Sequence, residues 1–184
     1  MLEQAQISFA PLFGKPCWRV QRGYGSFLTF EFGEPHLEIH EPRAVGAKYS
    51  PRVRKGLARR RVFVHGDWHL WIYCCDWIVT VRGECVGESS TRERMDRAAA
   101  ALDGQAINRV TLDTGTGHWS FDFDLGGRLE TRPCAETGSG DEQWRLYEPS
   151  GCVLTVRGNG SFSHAPGDGG GDERLREGDV NSGS

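Results

Sequence analysis

Four short blocks recur in one order along this chain, and such a recurrence points to a fold assembled from two similar units. Ser26-Phe27-Leu28-Thr29-Phe30-Glu31-Phe32-Gly33 is answered by Ser120-Phe121-Asp122-Phe123-Asp124-Leu125-Gly126. Leu37-Glu38-Ile39-His40-Glu41-Pro42 is answered by Leu129-Glu130-Thr131-Arg132-Pro133, and Trp68-His69-Leu70-Trp71 by Trp144-Arg145-Leu146-Tyr147. Both copies close on the same tetrapeptide, Thr80-Val81-Arg82-Gly83 and Thr155-Val156-Arg157-Gly158. The blocks read as short strands separated by turn residues. Phe121, Phe123 and Leu125 face one way and Asp122 and Asp124 the other, the pattern of a half-exposed antiparallel sheet. Glycine is abundant, 25 of 184 residues, about twice the average share. That suits many tight turns and argues against a helical bundle or a coiled coil.

Each unit reads as a meander of four short strands. In the first, Val62–Val64 and Trp68–Tyr73 surround the turn His65-Gly66-Asp67 and are taken together as one long bent strand. In the second, Asp113-Thr114-Gly115-Thr116-Gly117 turns a hairpin. One convincing helix lies between the units: Ser90-x-x-Glu93 forms a capping box, Met95, Ala98, Ala99 and Leu102 share a face, and Gly104 ends it. A shorter helix is expected before Gly14. The expected fold class is therefore mainly β, with two duplicated antiparallel β meander units joined by one α-helix, sandwich- or barrel-like. A single β-rich domain would span 1–164, divided into a first β unit at 18–88, a linking helix at 89–104 and a second β unit at 105–164. Residues 165–184, acidic and Gly-rich, are read as a disordered tail.

The net charge of -3 belongs to that tail, and the body is balanced. The balance is uneven along the chain. Between Arg43 and Arg61 stand Arg43, Lys48, Arg52, Arg54, Lys55, Arg59, Arg60 and Arg61, with no acid among them. We read this as a long loop inserted into the first unit. Arg52, Arg54, Lys55, Arg59, Arg60 and Arg61 are its candidate partner- or anion-binding residues. Tyr49 is the one aromatic side chain there, so stacking of bases is not indicated.

Trp68–Trp77 is apolar on both faces, which fits a strand buried on both sides at the centre of the fold. The alternative is an aromatic binding surface made of Trp68, Trp71, Tyr73 and Trp77. A metal site from His65, His69, Cys74 and Cys75 is not expected, because His65 and His69 lie across a turn. Asp113-Thr114-Gly115 matches the tripeptide of aspartic proteases, but no second copy exists to complete a dyad, and the residues read as a turn. No serine or cysteine has a nucleophile's context. Catalytic residues, metals and cofactors are accordingly expected to be none.

The strings Phe13-Gly14-Lys15-Pro16-Cys17-Trp18, Arg22-Gly23-Tyr24-Gly25-Ser26-Phe27 and Glu148-Pro149-Ser150-Gly151 resemble those of a family of small uncharacterised bacterial proteins. The resemblance implies an intact family domain over residues 12–164 and brings no activity with it. No apolar run of 18 residues and no signal peptide are visible, so a cytoplasmic location with reduced cysteines and no membrane contact is expected. The expected function is that of a non-enzymatic binding protein, an immunity or accessory factor acting through a protein partner. Two other readings stay open: a β-barrel-like small-molecule binder, and polyanion or nucleic-acid binding through the basic 43–61 loop.

Overall fold

The computed structural model describes residues 1–23, 25–44, 49–134 and 140–167. The chain runs α1 (Leu2–Phe9), a 3-10 turn (Ala10–Leu12), β1 (Cys17–Arg22), β2 (Leu28–Phe32), β3 (His36–His40), α2 (Pro51–Leu57) and β4 (Arg61–His65). It continues through β5 (Trp68–Ile72), β6 (Cys75–Val81), β7 (Glu84–Gly87), α3 (Arg92–Leu102) and β8 (Ile107–Asp113). The last strands are β9 (His118–Phe123), β10 (Arg128–Pro133), β11 (Glu142–Tyr147), β12 (Cys152–Arg157) and β13 (Phe162–Pro166).

These strands make a six-stranded sheet in the order β1-β2-β5-β11-β12-β13, a five-stranded sheet in the order β7-β6-β10-β9-β8, and a separate ribbon of β3 and β4. All the strand pairs are antiparallel. The fold is mainly β and sandwich-like, without closure into a barrel.

The two halves share a strand order. Three antiparallel strands form one sheet, β1-β2-β5 or β8-β9-β10, and the chain then crosses to the opposite sheet as β6-β7 or β11-β12. A helix precedes each half and packs on the first strand of the other, α1 on β8 and α3 on β1. By this topology β2 corresponds to β9, as the sequence blocks suggest, but β5 takes the place of β10 and β6 that of β11. The later blocks are therefore one strand out of step. The cause is the ribbon, since β3, α2 and β4 are inserted between β2 and β5.

The core lies between the sheets. Phe30, Phe32, Leu70, Ile72, Trp144 and Leu146 from one sheet, and Trp77, Val79, Trp119, Phe121 and Leu129 from the other, are at most 1% exposed. Trp119 meets Trp144 edge-on with ring centres 5.0 Å apart, and Phe9 of α1 closes on Phe121 at 5.6 Å. Each such side chain contributes about 1.5–3 kcal/mol by leaving water. The interior of the sandwich is thus packed with rings and aliphatic side chains.

α3 buries Met95, Ala98, Ala99 and Leu102, as expected, and Gly104 beyond it has φ +85°. Its N-cap residue is Thr91, one position later than the capping box implied. The Ser90 hydroxyl accepts the Gly87 N–H at 3.2 Å instead, closing the turn ahead of the helix. Val62–Val64 and Trp68–Tyr73 are not one bent strand: β4 pairs with β3, and β5 with β2 and β11. The sharp break falls at Gly66, where a Cβ would stand 2.8 Å from the Phe32 backbone nitrogen. Leu125 belongs to the β9–β10 turn and is 75% exposed, so it does not continue the buried face of Phe121 and Phe123. The edge strand β13 extends to Pro166, past the expected domain end at 164. The remainder of the expected tail, 168–184, lies outside the described residues.

Candidate functional site

The basic 43–61 segment is not simply a loop. Ser50 caps α2, its hydroxyl accepting the Val53 N–H at 3.3 Å, and Pro51 supplies the fixed φ of a first helical position. Arg52, Arg54 and Lys55 ride on this short helix, and Arg59, Arg60 and Arg61 lead from it into β4. Arg54, Lys55 and Arg59 are exposed. Arg60 grips the Glu41 carboxylate through Nε and a terminal nitrogen at 3.0–3.1 Å. Arg61 lies over the Phe63 ring, 5.3 Å from its centre. Lys48 lies outside the described residues.

β3 and β4 carry these charges on a ribbon with two unlike faces. Leu37 pairs with Val64 and Ile39 with Val62 in the ladder, and these four side chains point to solvent, 63%, 38%, 55% and 53% exposed in that order. A two-stranded ribbon is marginal by itself, so the opposite face must anchor it. That face carries Glu38, His40, Phe63 and His65, and it folds back on the outer side of the six-stranded sheet.

A chain of alternating carboxylates and imidazoles fills the contact. Glu31 on β2 stands opposite His69 on β5 in the ladder, and its Oε1 accepts from His69 Nδ1 at 2.9 Å and from His65 Nδ1 at 3.1 Å. Its Oε2 accepts the Gly66 N–H at 2.9 Å. On the far side, His65 Nε2 lies 3.3 Å from Glu38 Oε2, and Glu38 Oε1 lies 2.9 Å from His40 Nε2. Glu31 is 3% and His69 5% exposed. Burial pushes the Glu31 carboxyl upward, but the His69 charge and the hydrogen bonds from His65, His69 and Gly66 outweigh it and hold the pKa at about 2. The carboxylate is ionised, desolvated and saturated with donors.

The local sequence explains the placement. Alternation along Phe30-Glu31-Phe32 turns both rings into the core and the carboxylate out. His69 faces the same way from the next strand. Gly66 permits the turn that swings His65 back over both, so the turn expected to separate His65 from His69 is what joins them. Their ring centres are 5.8 Å apart. Cys74 and Cys75 take no part. Cys74 is exposed, while the buried Cys75 thiol, its pKa raised by desolvation, donates to the Gln143 carbonyl at 3.3 Å. Glu31 and Glu38 went unsingled in the sequence because nothing local marks a strand carboxylate as buried.

The aromatic surface is corrected. Trp71 is 7% and Trp77 1% exposed, and Trp77 Nε1–H donates to the Ser26 carbonyl at 2.7 Å. Tyr73 stacks on Trp71 with centres 4.2 Å apart, and Lys15 Nζ caps Trp68 at 4.5 Å. The single central strand expected over Trp68–Trp77 is two strands, β5 with Trp68 and Trp71 in the six-stranded sheet and β6 with Trp77 in the five-stranded one, so the four side chains do not form a common open patch. Asp113-Thr114-Gly115 is a turn, with Asp113 accepting from the Gly115 N–H and the Thr116 hydroxyl. No helix among the described residues is long and apolar enough to cross a membrane.

Compared with models of protein families, with curated proteins and with solved structures, the chain matches none.

Proposed function

We propose that this chain is a non-enzymatic binding protein whose ribbon docks a protein partner. The observation that carries the reading is the apolar outer face of the ribbon, Leu37, Ile39, Val62 and Val64, exposed beside the cationic segment of α2. Four large aliphatic side chains in one ladder are costly to leave in water. Arg54, Lys55 and Arg59 at the end of the same ribbon favour a partner that sets carboxylates beside an apolar strip. An immunity or accessory role is the setting we propose for such a partner, supported by the size of the domain and its balanced body.

Site-specific photocrosslinking in cells tests this. A photoreactive residue placed at Ile39 or Val62 should yield one dominant adduct with a second, different protein. The same residue at Leu125, exposed in the β9–β10 turn of the five-stranded sheet, should not. Charge reversal at Arg54, Lys55 and Arg59 should reduce that adduct. Adducts to nucleic acid or to a second copy of this chain, or equal adducts from all positions, would overturn the reading.

A further inference from the structure

We propose that Glu31, His65 and His69 form a binding site for one divalent transition-metal ion of the zinc class, set where the ribbon joins the sheet. The inference is independent of the partner proposed above. It starts from geometry: one ligand atom from each of Glu31, His65 and His69 lies within 4.8 Å of the other two, and Glu31 Oε1 faces Nδ1 of both histidines. Ligand atoms bound to zinc at about 2.0–2.1 Å in a tetrahedron are about 3.3 Å from one another. The two oxygen–nitrogen distances, 2.9 and 3.1 Å, are within a few tenths of an ångström of that separation. Small ring rotations would bring the two nitrogens to the same ion.

The donor set fits that class of ion. Two imidazoles and one carboxylate suit zinc and its first-row neighbours, and three protein ligands leave a further coordination position for water. The ligands are also held from behind. Glu31 Oε2 is fixed by the Gly66 N–H, which turns Oε1 towards the rings. His65 presents Nε2 to the Glu38 carboxylate at 3.3 Å, and Glu38 is itself held by His40. A carboxylate behind the distal nitrogen is the outer-shell arrangement that leaves the near nitrogen to the metal. His65 thus stands between two carboxylates, Glu31 on one nitrogen and Glu38 on the other. A divalent ion bound between His65 Nδ1 and Glu31 would take the place of any hydrogen there and release a proton from each Nδ1 that carried one.

Cobalt(II) titration of the metal-free full chain, followed by displacement with zinc, tests the site. We expect one cobalt ion per chain, visible ligand-field bands, no sulfur-to-cobalt charge-transfer band, and displacement by zinc. Zinc should raise the melting temperature of the wild-type chain. His65→Gln keeps a polar group at a partly exposed position, and it should abolish both the cobalt spectrum and the zinc-dependent rise while the chain still melts cooperatively. Glu38→Gln should weaken binding by about 10–100-fold. Cys74→Ser with Cys134→Ser should change nothing. Absence of saturable binding at millimolar metal would overturn the proposal. So would binding that survives His65→Gln, or that is lost with the two cysteines.

Discussion

Glu31 and Asp122 occupy the outward sides of corresponding strands, β2 in the first half and β9 in the second, and the molecule treats them in opposite ways. Asp122 accepts from Arg109 Nε and Arg128 Nε, both at 2.7 Å, across the two flanking strands. The arginine side chains are 64% and 46% exposed, so solvent shares that cluster. Glu31 also has two side-chain nitrogen partners, but they are imidazoles, and the ribbon, which supplies His65, covers Glu31 and His69. In the second half β9 and β10 are joined by a short turn at 124–127. In the first, 35 residues from Gly33 to Asp67 intervene between β2 and β5. The ribbon thus closes over the carboxylate in the first half, whereas in the second the Asp122 carboxylate, 15% exposed, is shared with arginines open to water. The same strand geometry carries weak electrostatics in one half and strong electrostatics in the other.

The largest effect should come from Glu31→Ala. It leaves the Nδ1 atoms of His65 and His69 and the Gly66 N–H facing a void, and removing one member of a buried charged cluster costs about 3–5 kcal/mol. Denaturant unfolding of the full chain measures this as a lower midpoint. If the loss matches that of a surface pair, the ribbon is not anchored through Glu31 and the contrast between the halves collapses.

How much of this contrast could be read in advance follows from where its information lies. The alternation of Phe30-Glu31-Phe32 and the apolar stripe of α3 are local, and both fold as their periods demand. The burial of Trp71 and Trp77 was legible because both faces of the 68–77 block are apolar, but the single strand expected there breaks at Cys74, where φ is +50°, and the two rings belong to β5 and β6 of opposite sheets. The ribbon was not legible. Val62–Val64 and Trp68–Tyr73 have the same strand chemistry, and what parts them is the close approach of Gly66 to the backbone of Phe32, a contact 34 positions away in sequence. Glu31 resembled any outward strand residue because its burial is conferred by the ribbon. His65-x-x-x-His69 about a glycine turn was the available signal. Its third member could be found only through the β2–β5 register.

A middle-sized effect appears in acid. The Glu31 pKa is lowered in the fold from 4.5 to about 2, so the unfolded chain takes up the proton first as pH falls. The stability this supplies is complete above about pH 4.5 and is lost as the pH falls towards 2. Glu31→Gln cannot titrate there. The stability gap between wild type and Glu31→Gln should therefore narrow steadily from pH 4.5 to pH 2, as read by urea unfolding at each pH. A gap independent of pH would show that the carboxylate charge is not what the imidazoles hold.

The smallest effect belongs to the other half. Asp122 is also held below its usual pKa: its partial desolvation acts upward, and the hydrogen bonds and charges of Arg109 and Arg128 prevail. Both arginines are open to water and mobile counterions, however, and such pairs contribute about 0–1 kcal/mol. Asp122→Asn keeps a carbonyl oxygen for one arginine and leaves the other to be solvated, so its cost should stay within that range and shrink in high salt. Glu31→Gln should keep most of its cost under the same salt, because a carboxylate that is 3% exposed is little screened by the surrounding electrolyte. Measuring both variants at low and high salt separates shielding by the ribbon from the strength of individual hydrogen bonds. Equal salt sensitivity would mean that the ribbon lifts from the sheet often enough to wet Glu31, and the difference between the halves would then be one of partners and not of solvent access.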